Sequence, residues 1–470
     1  MKILKFPSQP VSTLPSQIEV EVDGDKSISH RTAIFSLLTS GVNRITNYLP
    51  GEDTLNSLKI AQMLGAKVKT SSGSIGLNVE ITPPSSGIEE PSDVLYCGNS
   101  GTTIRIYSGL LAGAEGFFVL TGDRYLNRRP MGRVANPLRE IGAQIDGRKG
   151  GNYPPLAIRG GKLKSFRYSS PIASAQVKSA LILAGLQGEG VSYYREPTLS
   201  RDHTERMLRG MGAEIEKEGE WLKIIPLGGR KLEPLQLEVP GDPSSGFFFA
   251  IFGIVHRVSV LLKNLTLNPT RIEAYKVLEK MGVEVEYRLK GDKYEPVGDI
   301  FLNPTAPLKG IEVSQNIPSL IDELPALAIA MAVAEGESVV KNAKELRVKE
   351  SDRIKSIVTN LRKIGIKAEE LEDGFRIWGE PSLLSSPGGK GKRIPSSLVV
   401  IDSFGDHRIA MSFAILGSKI GNLEITEVES INTSFPRFFQ LLRQWVQFLL
   451  EERGEEESPS HSQKEVSNGN

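Results

Sequence analysis

The sequence LREIGAQI, residues Leu138–Ile145, decides the fold, because the same pattern occurs four more times in the chain. An amphipathic stretch runs up to a glycine, and alternating residues follow it. This pattern predicts a helix that ends at the glycine in a left-handed conformation, and a strand that begins directly afterwards. The copies are AQMLGAKV, LREIGAQI, LRGMGAEI, LEKMGVEV and LRKIGIKA, with central glycines Gly65, Gly142, Gly212, Gly282 and Gly365.

A second set of six phrases lies between these copies, and each begins with a polar turn and continues as an alanine-rich or aliphatic helix. Such helices are apolar on nearly every side, which predicts that they are buried. They divide into three and three, so we expect two domains of three units whose helix N-termini face one space. The phrases are DKSISHRTAIFSLLTSG, NSGTTIRIYSGLLAG, SAQVKSALILAG, DPSSGFFFAIFGIV, IDELPALAIAMAVAEG and GDHRIAMSFAILGS. The spacing of about 70 residues between glycines is too long for the common solenoids.

Two similar junctions mark where the halves meet, EVDGDKS from Glu21 and EVPGDPS from Glu238. Their content of Gly, Pro and Asp suits a hinge. We therefore predict a first domain over residues 25–241 and a second domain that combines 1–24 with 242–450, so that the chain crosses between them twice. Residues 451–470 hold almost no apolar side chains and are predicted to be a disordered tail.

Composition argues against several classes of protein. The chain has 470 residues, and its 57 Lys and Arg against 56 acids give a net charge of +1, which offers no support for nucleic-acid binding. No run of about 18 apolar residues is present, and the first ten residues lack the apolar region of a signal peptide. The single cysteine, Cys97, excludes an internal disulfide framework. We predict a cytoplasmic protein.

Several common catalytic motifs do not occur in the sequence. It contains no GxxxxGK[ST] phosphate loop, no HExxH pair and no GxSxG elbow. The five histidines stand at positions 30, 203, 256, 407 and 461 without metal-ligand spacing. We expect no metal and no cofactor, and we interpret Cys97 as a packed thiol in preference to a nucleophile.

The first half supplies groups that suit anions. Guanidinium groups, hydroxyls and free amides at helix N-termini recognise phosphate and carboxylate. For any one arginine taken singly, a solvated surface charge is the favoured interpretation. The candidates are Lys26, Ser27, Arg31, Asn99, Gly101, Thr102, Arg105, Arg124, Arg128, Arg129, Ser174 and Gln176.

The second half supplies acids, among them Asp322 and Glu323 before a buried helix and Glu350 within RVKESDR. A carboxylate among cations stays ionised and can act as a base, whereas one in a drier place can carry a proton. Two differently placed carboxylates would serve a reaction that takes up one proton and releases another. The alternatives are a plain N-cap for Asp322 and a structural ion pair for Glu350.

Eight motifs follow one another along the chain: DKSISHR, GNSGTT, RRPMGR, SAQVKSALILAG, LSRDHTERML, IDELP, RVKESDR and GDHRIAM. Together they resemble the 5-enolpyruvylshikimate-3-phosphate synthase family, whose members are carboxyvinyltransferases of the shikimate pathway. The resemblance runs over about residues 10–445 in the family's order. It implies an α/β (α+β) fold of two similar domains, each of three βαβαββ units around buried helices (an inverse α/β barrel), joined by a two-strand hinge.

The resemblance also implies the substrates and the residues that hold them. The enolpyruvyl group of phosphoenolpyruvate would pass to the 5-hydroxyl of shikimate 3-phosphate, with Asp322 as base, Glu350 as proton donor to C3, and Lys26 as the alternative acid. Shikimate 3-phosphate would contact Lys26, Ser27, Arg31, Ser174, Ala175, Gln176, Ser200, Arg201, Asp322 and Lys349. Phosphoenolpyruvate would contact Lys26, Asn99, Gly101, Arg129, Gln176, Arg353 and Arg408. Chorismate and aromatic amino acid biosynthesis would be the pathway.

Two positions depart from part of the family. INTSFP places Thr433 where some members carry a lysine, and Ala175 stands where some carry a second serine. The nearest alternative is the sister transferase that acts on UDP-N-acetylglucosamine, which usually opens with KNAAL and carries a reactive cysteine. A catalytically silent anion-binding scaffold is the alternative of another class. We expect a monomer, and closure of the two domains around the first substrate.

Overall fold

The computed structural model describes residues 1–11, 13–384, 395 and 397–453. The predicted tail falls almost entirely outside the described residues, as does His461. Strand β24, Leu449–Glu452, runs two residues past the predicted start of the tail, because it pairs with the first strand of the chain, Lys2–Lys5. No helix in the described part of the chain is long and apolar enough to cross a membrane.

The described residues form 24 strands and 14 α-helices. The strands are β1 Lys2–Lys5, β2 Gln17–Val20, β3 Asn43–Tyr48, β4 Lys67–Ser72, β5 Leu77–Thr82, β6 Leu95–Tyr96, β7 Gly116–Thr121, β8 Gln144–Gly147, β9 Tyr153–Gly160, β10 Arg167–Ser169, β11 Ser192–Arg195, β12 Ile215–Glu218, β13 Trp221–Ile224, β14 Gln236–Glu238, β15 Ser259–Thr266, β16 Glu284–Asp292, β17 Pro296–Asn303, β18 Glu312–Val313, β19 Glu337–Val340, β20 Ala368–Leu371, β21 Gly374–Trp378, β22 Val399–Ile401, β23 Leu423–Ile425 and β24. The helices are α1 Lys26–Phe35, α2 Glu52–Met63, α3 Gly101–Ala112, α4 Gly132–Glu140, α5 Arg148–Gly151, α6 Ala175–Leu186, α7 His203–Gly210, α8 Pro243–His256, α9 Glu273–Lys280, α10 Ile317–Leu320, α11 Leu324–Ala332, α12 Arg353–Lys363, α13 His407–Ile420 and α14 Phe438–Leu442.

The strands form six four-stranded sheets, and one repeated unit explains most of them. In the sheet β10-β11-β13-β12, the pair β10 and β11 is parallel with α6 between them in the chain, and α7 leads into the antiparallel hairpin of β12 and β13. This is a βαβαββ unit, and the predicted α/β class is confirmed. Each sheet is open at both edges, so the described strands close no hydrogen-bonded barrel.

All five repeated glycines end a helix and precede a strand, as the sequence predicts. Their φ angles lie between 87° and 108°, a region where residues with a Cβ are strained. At Gly142 the amide donates to Arg139 O (3.0 Å) and the next amide, Ala143, donates to Leu138 O (3.0 Å). These two bonds satisfy carbonyls at the end of α4 and turn the chain into β8.

The six apolar helices α1, α3, α6, α8, α11 and α13 are the buried ones. In α8, for example, every residue from Pro243 to Val255 is buried. The buried apolar side chains divide into two clusters: one draws on residues 28–239 together with Tyr294, and the other on residues 4–22 and 247–448.

The chain crosses between the two clusters at two adjacent segments. Gly24 and Gly241 form an antiparallel bridge there, the Asp25 amide donates to Pro240 O (2.8 Å), and the Asp242 amide donates to Asp23 O (3.0 Å). A Cβ on Gly24 would lie 2.1 Å from Asn47 O, so only glycine fits this crossing. The strand before each crossing completes a sheet of its own half: β14 pairs with β3, and β2 pairs with β15.

Candidate active site

A cavity of about 300 Å³ lies where the N-termini of the six buried helices meet. Five of these helices begin at a side-chain cap: Asp25, Ser100, Ser174, Asp242 and Asp406 each accept a hydrogen bond from an amide of the first turn. The positive ends of these helix dipoles therefore point toward one space, which favours anionic ligands.

All the residues proposed from the family resemblance line this cavity. They are Lys26, Ser27, Arg31, Asn99, Gly101, Arg129, Ser174, Ala175, Gln176, Ser200, Arg201, Asp322, Lys349, Glu350, Arg353 and Arg408. Thr102 and Arg105 line it as well. Arg124 and Arg128, two further candidates from the first half, are not among the lining residues, and the Arg124 guanidinium stacks on the exposed ring of Tyr125 at 4.7 Å.

The cavity wall carries a large excess of positive charge. Ten Lys and Arg side chains line it against five carboxylates, whereas the whole chain has a net charge of only +1. Burial, with the charges of Arg133 and Arg129 nearby, lowers the pKa of Arg105 to about 9. Guanidinium groups this crowded are stabilised by an anion placed between them.

Asp322 is an ionised carboxylate surrounded by guanidinium groups. Arg201 approaches its Oδ2 at 2.8 Å, and Arg353 donates to its Oδ1 at 3.3 Å. Burial by itself would raise the pKa of Asp322, but the charges of Arg408, Arg201, Lys349 and Arg353 outweigh it and hold that pKa well below its usual range. The side chain is thus ready to accept a proton once a hydroxyl reaches it.

Glu350 is held in a similar way. Arg353 Nη2 donates to its Oε2 at 2.6 Å, and Arg129 Nη2 lies 3.3 Å from its Oε1. Burial is again outweighed, chiefly by Arg353 and Arg129, and the pKa of Glu350 lies well below its usual range. Beside these two guanidinium groups Glu350 is ionised, and its predicted service as a proton donor requires that their positive charge be offset.

Lys26 is held by an aspartate at its side chain and by another at its backbone amide. Its Nζ lies 2.5 Å from Asp53 Oδ2, and its backbone amide donates to Asp242 Oδ2 at 3.0 Å. Asp53, on α2, is buried, and its other oxygen has no hydrogen-bond partner within the described chain. Sequence reasoning missed Asp53, although its position in the first turn of an acidic helix start, GEDT, is visible in the sequence.

The groups predicted to hold the shikimate phosphate lie around the start of α6. Ser174 caps that helix, with its Oγ accepting from the Val177 amide at 3.5 Å. Ser200 donates to Glu196 Oε2 at 2.7 Å. Arg31 is almost fully buried, and its Nε and Nη2 donate to Thr204 Oγ1 (2.8 Å) and Ser179 Oγ (2.9 Å), which orient the guanidinium.

The groups predicted to hold phosphoenolpyruvate lie around the start of α3. Arg129 Nη2 donates to Asn99 Oδ1 at 2.8 Å, and Arg105 Nη1 donates to Gln176 Oε1 at 2.5 Å. Gly101 sits between these arginines: a Cβ built on it would lie 3.1 Å from Arg105 Nη1 and 3.3 Å from Arg129 Nη1. The absence of a side chain at Gly101 keeps this end of the cavity open.

Three ion pairs join the two halves across the cavity. Arg201 pairs with Asp322, Arg129 pairs with Glu350, and Arg133 Nη1 pairs with Glu345 Oε1 at 3.0 Å. Each joins an arginine of the first half to a carboxylate of the second. Arg133 and Glu345, which sequence reasoning did not single out, lie at the cavity wall beside the others.

Two features of the sequence stand apart from the cavity. Thr433 is not among the lining residues, and its Oγ1 donates to Ser430 O at 2.8 Å inside its own 3₁₀ turn, Val428–Thr433. Cys97 is fully buried, and burial raises the pKa of its thiol above the usual range, as expected for a packed cysteine. Within residues 1–11, 13–384, 395 and 397–453, no cluster of His, Cys, Asp and Glu could hold a metal ion.

Comparison with known proteins gives consistent matches over nearly the whole length. The family model described as EPSP synthase (3-phosphoshikimate 1-carboxyvinyltransferase) matches residues 12–442. The 3-phosphoshikimate 1-carboxyvinyltransferase of a Nitratiruptor species is 56% identical over 441 residues, which cover 93% of this chain and 96% of that protein. That of Wolinella succinogenes is 55% identical, covering 92% and 96%. A solved EPSP synthase structure from Acinetobacter baumannii has a TM-score of 0.80 and 37% identity, covering 96% of this chain and 100% of that one.

Proposed function

The chain belongs to the EPSP synthase family, and from this premise we propose that it transfers the enolpyruvyl group of phosphoenolpyruvate to the 5-hydroxyl of shikimate 3-phosphate. Phosphate is released, and the enzyme is a transferase of the shikimate pathway, which leads to aromatic amino acids. One observation carries the proposal. Asp322 and Glu350 share the guanidinium of Arg353 in a cavity whose other walls are cationic.

The reaction is an addition followed by an elimination. In the addition, Asp322 takes the proton of the 5-hydroxyl as that oxygen forms a bond to C2 of phosphoenolpyruvate, and C3 receives a proton from an acid. The product is a tetrahedral intermediate that carries both the ether and the phosphate. In the elimination, a carboxylate takes a proton from the new methyl group, the bond from C2 to the phosphate oxygen breaks, and the double bond re-forms.

The low pKa of Glu350 constrains the acid of the first step. Glu350 is ionised because Arg353 and Arg129 face it. Phosphoenolpyruvate, held by the same two arginines, would bring negative charge close to Glu350 and favour its protonated form. Glu350 can then give its proton to C3 and take one back in the elimination. Lys26, held by Asp53 at 2.5 Å, is the alternative donor.

The two substrates are assigned to two different helix starts and to the cations beside each of them. The start of α6 with Arg31, Arg201 and Lys349 would hold shikimate 3-phosphate, and the start of α3 with Arg129, Arg353 and Arg408 would hold phosphoenolpyruvate. The remaining contacts that the resemblance implies are Lys26, Ser27, Ser174, Ala175, Gln176, Ser200, Asn99, Gly101 and Asp322, all of which line the cavity. Bidentate guanidinium groups and helix N-termini match the carboxylates and phosphates of both substrates.

The domain division is part of the proposal. Residues 25–241 would form one lobe, and 1–24 with 242–450 the other, because the buried apolar side chains separate into two clusters close to these limits. The paired crossings at Gly24 and Gly241 would be the hinge. We also propose a cytoplasmic monomer. In support of the compartment, the single cysteine excludes an internal disulfide and suits a reducing environment.

The direct test mixes the protein with shikimate 3-phosphate and phosphoenolpyruvate and measures released phosphate. We expect turnover that depends on both substrates, and no turnover when UDP-N-acetylglucosamine replaces shikimate 3-phosphate. Turnover with UDP-N-acetylglucosamine and phosphoenolpyruvate, but none with shikimate 3-phosphate, would indicate the sister reaction instead. Tight binding of both substrates with no phosphate release would favour a silent scaffold.

A further inference from the structure

Arg271 is a fully buried guanidinium at the place where the chain crosses between its two halves. It ends the loop that precedes α9, and its side chain is 1% exposed. Its Nη1 donates to Asp25 Oδ2 at 2.5 Å, and its Nη2 donates to Asp242 Oδ1 at 2.8 Å. One fork thus bonds an aspartate from each of the two crossing segments.

Both aspartates are helix caps next to the candidate site. Asp25 accepts from the Ile28 amide (2.9 Å) at the start of α1, and Asp242 accepts from the Ser244 amide (2.8 Å) at the start of α8. The second oxygen of Asp242 accepts the backbone amide of Lys26 (3.0 Å). The first residue of α1 is therefore held by a cap of the other half, and that cap is held by Arg271.

A second chain of contacts leads from Arg271 to the carboxylates. Arg271 Nη2 also donates to Ser244 Oγ at 2.9 Å, and the Ser244 hydroxyl donates to Glu323 Oε1. Glu323 is buried and follows Asp322 directly in the chain. Asp322, the proposed base, and Lys26, the alternative proton donor, are thus linked to Arg271, Lys26 through Asp242 and Asp322 through Ser244 and its neighbour Glu323.

We propose that Arg271 is a positioning residue, which fixes the place of Lys26 through Asp242 and that of Asp322 through Ser244 and Glu323. This inference rests on the proposed function. Arg271 lies at the cavity wall but is bonded on both prongs of its fork by protein groups, so it acts through other residues and not on substrate directly. A planar fork reaches two carboxylates at once, which an ammonium group cannot do with the same geometry.

The pKa shifts of the two aspartates agree with this arrangement. Burial raises the pKa of Asp25. Burial acts in the same direction on Asp242, but the charge of Arg271 leads the influences that outweigh it and lower the pKa of Asp242 to about 2. Removal of the guanidinium would leave two buried carboxylates facing each other without a counter-charge. For this reason the test uses substitutions that keep charge or shape.

The experiment compares Arg271→Lys, Asp242→Asn and their double variant with the unaltered protein in the phosphate-release assay. We expect each single variant to lower kcat about tenfold or more, the scale on which orienting partners act, while the KM of each substrate changes less than about threefold. The double variant should be no slower than the more impaired of the two single variants, because the path through Asp242 already depends on Arg271.

Arg437→Lys is the matched control. Arg437 pairs with Asp23 (3.4 Å) at the same crossing but contacts neither Asp242 nor Ser244, so kcat should stay within about twofold. An equal loss in this control, a multiplicative loss in the double variant, or an unchanged kcat in Arg271→Lys would overturn the inference. If Arg271→Lys does not fold, Ser244→Ala and Asp242→Asn decide the matter, and normal kcat in both would refute it. Absence of turnover in the unaltered protein would instead refute the proposed function.

Discussion

Gly101→Ala is the change whose effect the geometry defines best. The added Cβ would lie 3.1 Å from Arg105 Nη1 and 3.3 Å from Arg129 Nη1, whereas ordinary contacts begin at 3.4 Å. Both guanidinium groups must therefore move by a few tenths of an ångström, and the methyl group also takes space from the ligand. A hydrogen bond to a charged group contributes about 1.5–3 kcal/mol. Weakening one such bond by half raises the KM for phosphoenolpyruvate about three- to twelvefold, since about 1.4 kcal/mol is a factor of ten.

The assay is phosphate release at fixed, saturating shikimate 3-phosphate with phosphoenolpyruvate varied, and then the reverse. The KM for shikimate 3-phosphate should stay within about twofold, because its proposed contacts lie around α6 and Arg31. Gly161→Ala is the control in the same half, since nothing lies within 4 Å of a Cβ at that position. A normal KM for phosphoenolpyruvate in Gly101→Ala, or an equal rise for both substrates, would refute the assignment of this end of the cavity.

Three further predictions concern carboxylates. Asp322→Asn and Glu350→Gln should each lower kcat by about 100-fold or more, the scale of general acid–base groups, and a near-normal rate in the same assay would remove that residue from its role. Asp53→Asn should lower kcat because Lys26 loses its 2.5 Å partner; an unchanged rate in the phosphate assay would contradict this. Burial raises the pKa of Glu295 from 4.5 to about 8. The folded state then binds more protons than the unfolded chain between those values, and stability falls as pH rises through them. Glu295→Gln should therefore make the Tm depend less on pH between 4.5 and about 8. An unaltered slope of Tm against pH would contradict the raised pKa.

The repeats made most of the fold predictable from the sequence. A position that needs a positive φ can be recognised in the sequence, because glycine adopts this conformation without the strain that other residues have. All five repeated glycines end their helices as expected. The apolar helices were equally visible because they lack a polar face. Local rules therefore sufficed for the helices and for the strands that follow the glycines.

The sixth unit shows where local rules stop. Its sheet, β22-β23-β1-β24, takes Lys2–Lys5 as an inner strand between β23 and β24, although more than 390 residues separate β1 from β22. No repeated glycine marks this unit. A pairing this distant in the chain depends on which edge the rest of the fold leaves free, and no short stretch of sequence records that.

The same limit applies to the site. Family motifs identified the groups at the cavity wall, but they did not reveal Asp53 and Arg271, whose partners Lys26 and Asp25 lie 27 and 246 residues away. In a sequence, a single Asp at a helix start is interpreted as a cap, and a single Arg before a helix is interpreted as a surface charge. Only the fold, by bringing distant segments together, gives each of them a counter-charge.

The carboxylates of the cavity wall also explain how such an excess of positive charge is tolerated. Asp322 and Glu350 belong to the second half, yet each is paired with an arginine of the first, Arg201 or Arg129. These pairs hold the walls together where substrate anions would otherwise lie. If shikimate 3-phosphate takes Arg201 and phosphoenolpyruvate takes Arg129, both carboxylates lose a counter-charge at the moment that they are needed, and each becomes a stronger proton acceptor. Binding and activation of the carboxylates would then be one event, since the same guanidinium groups serve both.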